Sequence, residues 1–246
     1  MTLAGRVVVI TGASGGIGAA TAVHLAHAGA QVGLVARRRE ALEAVAAQCG
    51  GLAAVFPADV TDRAAVDGVM AAALERFGHV DVWVNNAGQG ISRRVSELTD
   101  DDLDAMVRVN VKSALYGMQA VLPHFRARGT GQIVNVSSLL GRMPYVPIRA
   151  AYSAAKHMLN VLTANLRDEL RTTHPGIRVT LVSPGVVWTD FGLNAVGGGP
   201  DSRSFPDGQT PEEVAAVIAG VIAEPQDDVY TRGDYRGKVG AYLAAL

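Results

Sequence analysis

Short runs of β-branched and other apolar residues alternate along this chain with longer stretches whose apolar positions recur at helical spacing. Arg6 to Thr11 reads as a strand buried on both faces, and Ile17 to Ala28 as an alanine-rich helix closed by Gly29. Gln31 to Val35 is a second strand, followed by helix from about Arg38 to Gln48 with Gly50-Gly51 as its stop. Leu52 to Phe56 is the third strand, after which Thr61 or Asp62 caps a helix ending near Phe77-Gly78. Val80 to Val84 is the fourth. Ile133 to Val136 and Val179 to Val182 supply two more, separated by a long helix from about Tyr152 to Thr172, and Asp228 to Thr231 is a short last strand. Such alternation implies parallel strands joined by right-handed crossovers with helices on both faces. The expected fold is a single α/β domain, doubly wound in the Rossmann manner. The Gly-, Pro-, Ser- and Asp-rich stretch from Asn194 to Gln209 is long for a connection inside one domain, so a substrate lid is expected at about 191–209.

Composition narrows the function classes. With 246 residues, 49% apolar and 18% charged, the chain has material for a large core, which excludes disorder as its main state. A net charge of −1 offers no electrostatic footprint for nucleic acid or an anionic membrane. The lone Cys49 excludes a disulfide framework and any multi-cysteine metal site, and His24 and His27 lack a third ligand, so no metal is expected. The apolar run Val7 to Ile10 is too brief for a signal-peptide core or a membrane span, and a cytoplasmic location is expected.

Three features carry chemistry. The first strand runs straight into Thr11-Gly12-Ala13-Ser14-Gly15-Gly16-Ile17-Gly18 at the start of a helix. Glycines there permit a tight turn and close backbone approach, and the helix N-terminus offers free N–H groups to phosphate, although any tight turn needs glycine. Tyr152 and Lys156 stand four residues apart, one turn along one helix face. A lysine charge favours phenolate, making the pair a proton donor and acceptor for an alcohol or carbonyl oxygen. Only three lysines occur in the chain, so this pairing is less easily a coincidence. Ser137-Ser138 follows a buried strand at its C-terminal end, where α/β sheets bind ligands. A hydroxyl there suits a developing oxyanion, or simply caps the next turn.

Taken in order, Thr11-Gly12-x-x-x-Gly16-x-Gly18, Asn85-Asn86-Ala87-Gly88, Ser138 and Tyr152-x-x-x-Lys156 resemble the short-chain dehydrogenase/reductase family, in its short single-domain branch, over nearly the whole chain. Pro184-Gly185 and then Thr189 continue the likeness. The resemblance implies hydride transfer between a nicotinamide cofactor and a secondary alcohol or ketone. It casts Tyr152 as general acid/base, Lys156 as the residue that lowers its pKa and holds the nicotinamide ribose, and Ser138 as the group that orients the carbonyl. Asn110 resembles the asparagine that fixes a proton-relay water behind the lysine. For the cofactor it implies contacts from Gly12, Ser14, Gly16, Ile17 and Gly18 in the turn, Asp59 and Val60 at the adenine, and Asn86, Ala87 and Gly88 under the adenosine half. Pro184, Gly185, Val187 and Thr189 fall at the nicotinamide. Ser137 competes for the serine role.

Finer expectations follow. Ala36 ends the second strand where an NAD-preferring relative carries an acidic residue, and Arg37 and Arg38 come next, so NADP(H) is expected over NAD(H). A solvated helix start is the competing reading of Arg37 to Arg39. Leu140, Tyr145, Pro147, Val186, Trp188 and Phe191 are wall candidates, which suggests a largely apolar substrate pocket beside Ser138. The partner is a small carbonyl or alcohol. Ala154, Met158, Val161 and Ala164 widen the apolar surface of the long helix beyond what packing on a sheet needs, so a homo-oligomer, tetramer or dimer, is expected. A non-catalytic nucleotide-dependent regulator and a sugar-nucleotide epimerase are the alternatives. The first should have lost part of the Tyr, Lys and Ser set, and the second needs a larger C-terminal region.

Overall fold

The computed structural model describes residues 3–245. Seven strands, β1 (Val7–Thr11), β2 (Gln31–Ala36), β3 (Ala53–Pro57), β4 (Val82–Asn85), β5 (Gly131–Val136), β6 (Ile177–Ser183) and β7 (Asp228–Tyr230), make one sheet. Its order is β3-β2-β1-β4-β5-β6-β7 and every pairing is parallel. The winding direction changes between β1 and β4, which opens a crevice beyond their C-terminal ends, the place where such sheets bind ligands.

Side chains two apart on a strand share a face, and this divides the core. Val8, Ile10, Val32, Leu34, Val84, Val134 and Val182 pack on one face against α1 (Gly16–His27), α2 (Arg39–Ala47) and α7 (Pro211–Ala223). Val7, Val9, Val35, Trp83, Ile133 and Val179 meet α3 (Arg63–Phe77), α5 (Ser113–Arg128) and α6 (Ala150–Thr173) on the other. Trp83 is fully buried, and its indole N–H donates to Asn85 Oδ1 at 2.8 Å. Cys49 is buried too, with its thiol pushed up by desolvation, an unreactive setting.

The structure adds what the pattern leaves unassigned: α4 (Asp100–Val107), α5, α7 and α8 (Tyr235–Ala244). Between α4 and α5 the chain widens into a π turn at Arg108–Lys112. Asp62, not Thr61, caps α3, its Oδ1 accepting the Ala64 N–H at 2.9 Å. α6 begins at Ala150, two residues before the expected Tyr152, so its first two turns carry both Tyr152 and Lys156. Met158 and Val161 on α6 are 45% and 60% exposed. Among the described residues no helix is long and apolar enough to cross a membrane, and no group of His, Cys, Asp or Glu is placed to hold a metal ion.

Candidate active site

The glycine turn is built for close approach and braced from behind. Gly12 and Gly16 have φ of 68° and 53°, the left-handed region that favours glycine. A Cβ on Gly18 would lie 2.3 Å from Gly12 O and 2.6 Å from Asn86 Nδ2, so only glycine lets the first turn of α1 sit there. The Asn86 amide nitrogen serves this brace, since Nδ2 donates to Thr11 O at 3.0 Å and Gly12 O at 3.3 Å. Thr11 Oγ1 in turn accepts the N–H groups of Asn86 and Ala87, at 3.0 and 3.1 Å. The Asn86 amide nitrogen thereby fixes the turn from the β4 side. Thr189 reaches the same place from the β6 side: its Cγ2 lies 3.1 Å from where a Cβ on Gly16 would stand.

The ends of β4, β5 and β6 bring the remaining groups together. Tyr152 and Lys156 are 7% and 3% exposed, and the ammonium donates to Val136 O at 2.9 Å and lies 5.7 Å from the phenol ring centre. Burial pushes the Tyr152 phenol up to about 12, against smaller downward pulls from a Ser138 hydrogen bond and the Arg149 charge. Burial also pushes the Lys156 ammonium down to about 8. Desolvation acts against the charged form of each of these two deeply placed groups. Near neutral pH the pair is a phenol beside an ammonium, a proton donor.

The two serines separate. Ser137 Oγ donates to Asn160 Oδ1 at 2.5 Å, and Asn160 Nδ2 donates to Gly141 O at 2.7 Å, a buried structural pair. Ser138 Oγ accepts the Leu140 N–H at 3.1 Å and bonds Tyr152. Asn110 sits in the π turn, a backbone widening frequent at functional sites. Its Nδ2 donates to Gln89 O at 3.0 Å and Met106 O at 3.2 Å, while its Oδ1 accepts the Gln89 N–H at 3.2 Å. A Cβ on Gly88 would fall 2.9 Å from Asn110 Oδ1 and 3.6 Å from Lys156 Nζ, which brings Asn110, Gly88 and Lys156 to one spot.

The wall candidates divide as well. Phe191 meets the Tyr152 ring edge-on at 5.4 Å, and Leu140 packs in the same cluster. Tyr145 and Val186 are 54% and 37% exposed, and Pro147 is exposed as well. Trp188 is tied to the 191–209 loop: its indole donates to Phe205 O at 3.0 Å and covers Gly208. The segment after Phe191 docks on the one following Gly88, through Ser92 N–H to Val196 O and Val196 N–H to Gly90 O, each 2.9 Å. Arg149, which no motif marks, reaches this junction.

A family profile described as short chain dehydrogenase matches residues 6–196. The chain belongs to the short-chain dehydrogenase family. An uncharacterised oxidoreductase of Staphylococcus aureus strain USA300 is 34% identical over 225 residues, 91% of this chain and 94% of its own. A short-chain dehydrogenase/reductase of Burkholderia phymatum, solved with NAD, superposes with a TM-score of 0.89 at 26% identity, covering 98% of this chain and 93% of that one. An alcohol dehydrogenase of Thermococcus sibiricus, solved with 5-hydroxy-NADP, gives 0.81 at 29% identity and covers 94% and 97%.

As a member of this family the dehydrogenase binds a nicotinamide dinucleotide, and its residues fit that role. The turn from Gly12 through Ser14 to Ile17 presents bare backbone at a helix N-terminus, as a pyrophosphate requires. Arg37 and Arg38 are exposed at the end of β2 and, among the described residues, no carboxylate lies within ion-pair distance of either, whereas Arg39 pairs with Glu43 at 3.7 Å. Asp59 is held below the usual carboxylate range by Thr61 hydrogen bonds and the Arg37 and Arg108 charges, which outweigh its partial burial. Its Oδ1 is taken by Thr61 N–H and Oγ1 at 2.9 and 2.8 Å, with Val60 half-buried beside it. Pro184 and Val187 are buried, while Gly185 and Ala87 are half-buried along the same crevice.

Proposed function

We propose that this dehydrogenase moves hydride between NADP(H) and a secondary alcohol or ketone, with Tyr152 as general acid/base. The observation that carries this reading is the meeting of Tyr152, Ser138 and Lys156 beside Asn110, at the strand ends next to the glycine turn. When bound, the cofactor supplies or accepts the hydride. Gly12 to Gly18 would hold its pyrophosphate, Arg37 and Arg38 its 2′-phosphate, Lys156 its nicotinamide ribose, and Thr189 its carboxamide. Ser138 and Tyr152 hold the carbonyl oxygen and meet the charge that develops on it. Tyr152, kept protonated by burial, gives its proton to that oxygen, and Asn110 holds the water that returns one through Lys156.

Phe191 and Leu140 form the apolar wall, and the loop over 191–209 closes on the substrate. The partner is a small carbonyl or alcohol compound, and nucleic acid and membrane are not partners. Exposed Met158 and Val161 favour a homo-oligomer, tetramer or dimer, through α5 and α6, working in the cytoplasm. A ketone panel followed at the reduced-nicotinamide absorbance tests the activity. Tyr152→Phe should lower turnover roughly 10²- to 10⁴-fold while NADPH binding, read by fluorescence, persists. A Tyr152→Phe enzyme retaining most of its turnover refutes the assignment.

A further inference from the structure

Arg149 stands three residues before Tyr152, at the N-terminal cap of α6, and is half-buried. Of the five N–H donors a guanidinium carries, one partner is accounted for: Nη1 donates to Ile91 O at 3.1 Å. Among the described residues no carboxylate lies within ion-pair distance of it. Several other arginines of this chain do find such partners, for example Arg93 with Asp102, Arg126 with Glu169 and Arg203 with Asp190; Arg37 and Arg38, which also lack one, are solvent-exposed. A half-buried cation without a counter-ion is costly, so its retention needs a cause.

Its surroundings point to one. The Arg149 charge acts on the Tyr152 phenol, and no other ionisable group acts on Arg149 appreciably. Bare backbone faces the guanidinium on two sides. A Cβ on Gly90 would stand 2.7 Å from Nη1 and 2.9 Å from the Phe191 ring, and one on Gly199 would stand 2.9 Å from Nη2. Ser92 Oγ, 3.0 Å from that same Gly199 point, is occluded from solvent and has no hydrogen-bond partner. A guanidinium with spare donors and an unpartnered hydroxyl therefore converge where the segment after Gly88 meets the loop after Phe191, next to the proton donor.

We propose that Arg149, seconded by Ser92, binds the carboxylate of an oxo-acid or hydroxy-acid substrate whose carbonyl or carbinol group is held at Ser138 and Tyr152. This rests on the oxidoreductase reading above and replaces its apolar pocket with one that is apolar on the Phe191 side and cationic at the loop junction. In the reductive direction the carbonyl carbon gains a hydride, the oxygen gains a proton from Tyr152, and the two electrons come from the reduced nicotinamide. The carboxylate is unchanged, so Arg149 selects substrate without joining the chemistry.

The test compares each acid with its methyl ester: pyruvate, acetoacetate and levulinate against methyl pyruvate, methyl acetoacetate and methyl levulinate. With the wild-type enzyme at least one acid should exceed its ester in kcat/KM by on the order of 10- to 100-fold, the size of one charge-assisted hydrogen bond. In Arg149→Gln that acid-to-ester ratio should fall toward one, with partial recovery in Arg149→Lys and a smaller fall in Ser92→Ala. A ratio is insensitive to the fraction of enzyme that folds, and the wild-type ratio needs no variant at all. Wild-type ratios at or below one for every pair overturn the proposal, as does a ratio unchanged in Arg149→Gln, which would leave Arg149 acting only on the phenol or the loop. Failure of acids, esters and neutral ketones alike to oxidise bound NADPH would instead refute the oxidoreductase reading, and this inference with it.

Discussion

Lys156→Met should make the protein more stable near neutral pH while abolishing turnover, because the ammonium is held in the fold at a cost. Burial lowers its pKa from 10.5 to about 8. At 1.36 kcal/mol per unit, that difference is about 3 kcal/mol of folding free energy. Below about pH 8 both the folded and unfolded chains carry the proton, and the whole cost is present. Between about pH 8 and 10.5 the unfolded chain binds more protons than the folded one, so stability rises with pH until the cost is gone. Methionine is of similar shape and carries no charge. It forfeits the hydrogen bond from Nζ to Val136 O, worth about 1 kcal/mol. The variant should therefore gain about 2 kcal/mol near pH 7, an advantage that vanishes and reverses as the pH approaches about 10. Urea unfolding of the ligand-free protein at several pH values, at fixed protomer concentration, measures the difference. Tyr152, whose raised pKa matters only above about pH 10, is common to both proteins and cancels. A variant that is less stable at neutral pH, or whose difference from wild type is flat with pH, refutes the reasoning.

Ala36→Asp/Arg37→Ala should move the ratio of kcat/KM toward NAD(H) by roughly 10- to 100-fold, since one guanidinium contact to a phosphate is lost and a repelling carboxylate gained. An initial preference for NAD(H), or no shift in the double mutant, would defeat the NADP(H) assignment. Gly18→Ala should cost about 1–3 kcal/mol and weaken cofactor binding, because its Cβ meets Gly12 O and Asn86 Nδ2; thermal melts and NADPH titration read both. Val161→Asp, at a site 60% exposed, should leave the fold intact and lower the mass seen by light scattering. An unchanged oligomer would place the interface elsewhere.

The strands were legible because most of them lie between two helix layers and so appear as unbroken apolar runs, with Val7 to Ile10 the clearest. The middle of the chain was not. Asp100 to Arg128 passes through a π turn and carries Pro123 inside α5, which scrambles the periodicity that marks a plain helix. The start of α7 did carry a signal that went unassigned: Thr210 caps Glu213, Glu213 returns the bond to Thr210 N–H, and Pro211 takes the first helical position. The cap of α3 was ambiguous for a physical reason, since Thr61 and Asp62 are both capping residues and only the backbone decides which faces Ala64.

At the site, residue types were legible and their environments were not. Spacing puts Tyr152 and Lys156 on one helix face whatever surrounds them. The direction in which each pKa moves depends on how much water the β5 end and Phe191 exclude, which no spacing records. Asn86 illustrates the same limit, because its place in a motif does not show that its amide nitrogen braces Thr11 and Gly12. Arg149 is the converse case. It belongs to no motif, and along the chain it is one arginine among many. Its distinction is the absence of a counter-ion at a half-buried place beside the proton donor, which exists only once distant segments of the chain have come together. Groups that the fold tolerates at a cost, such as the buried Lys156 and the unpaired Arg149, are therefore where function is most readily sought, because packing and propensity alone would have removed them.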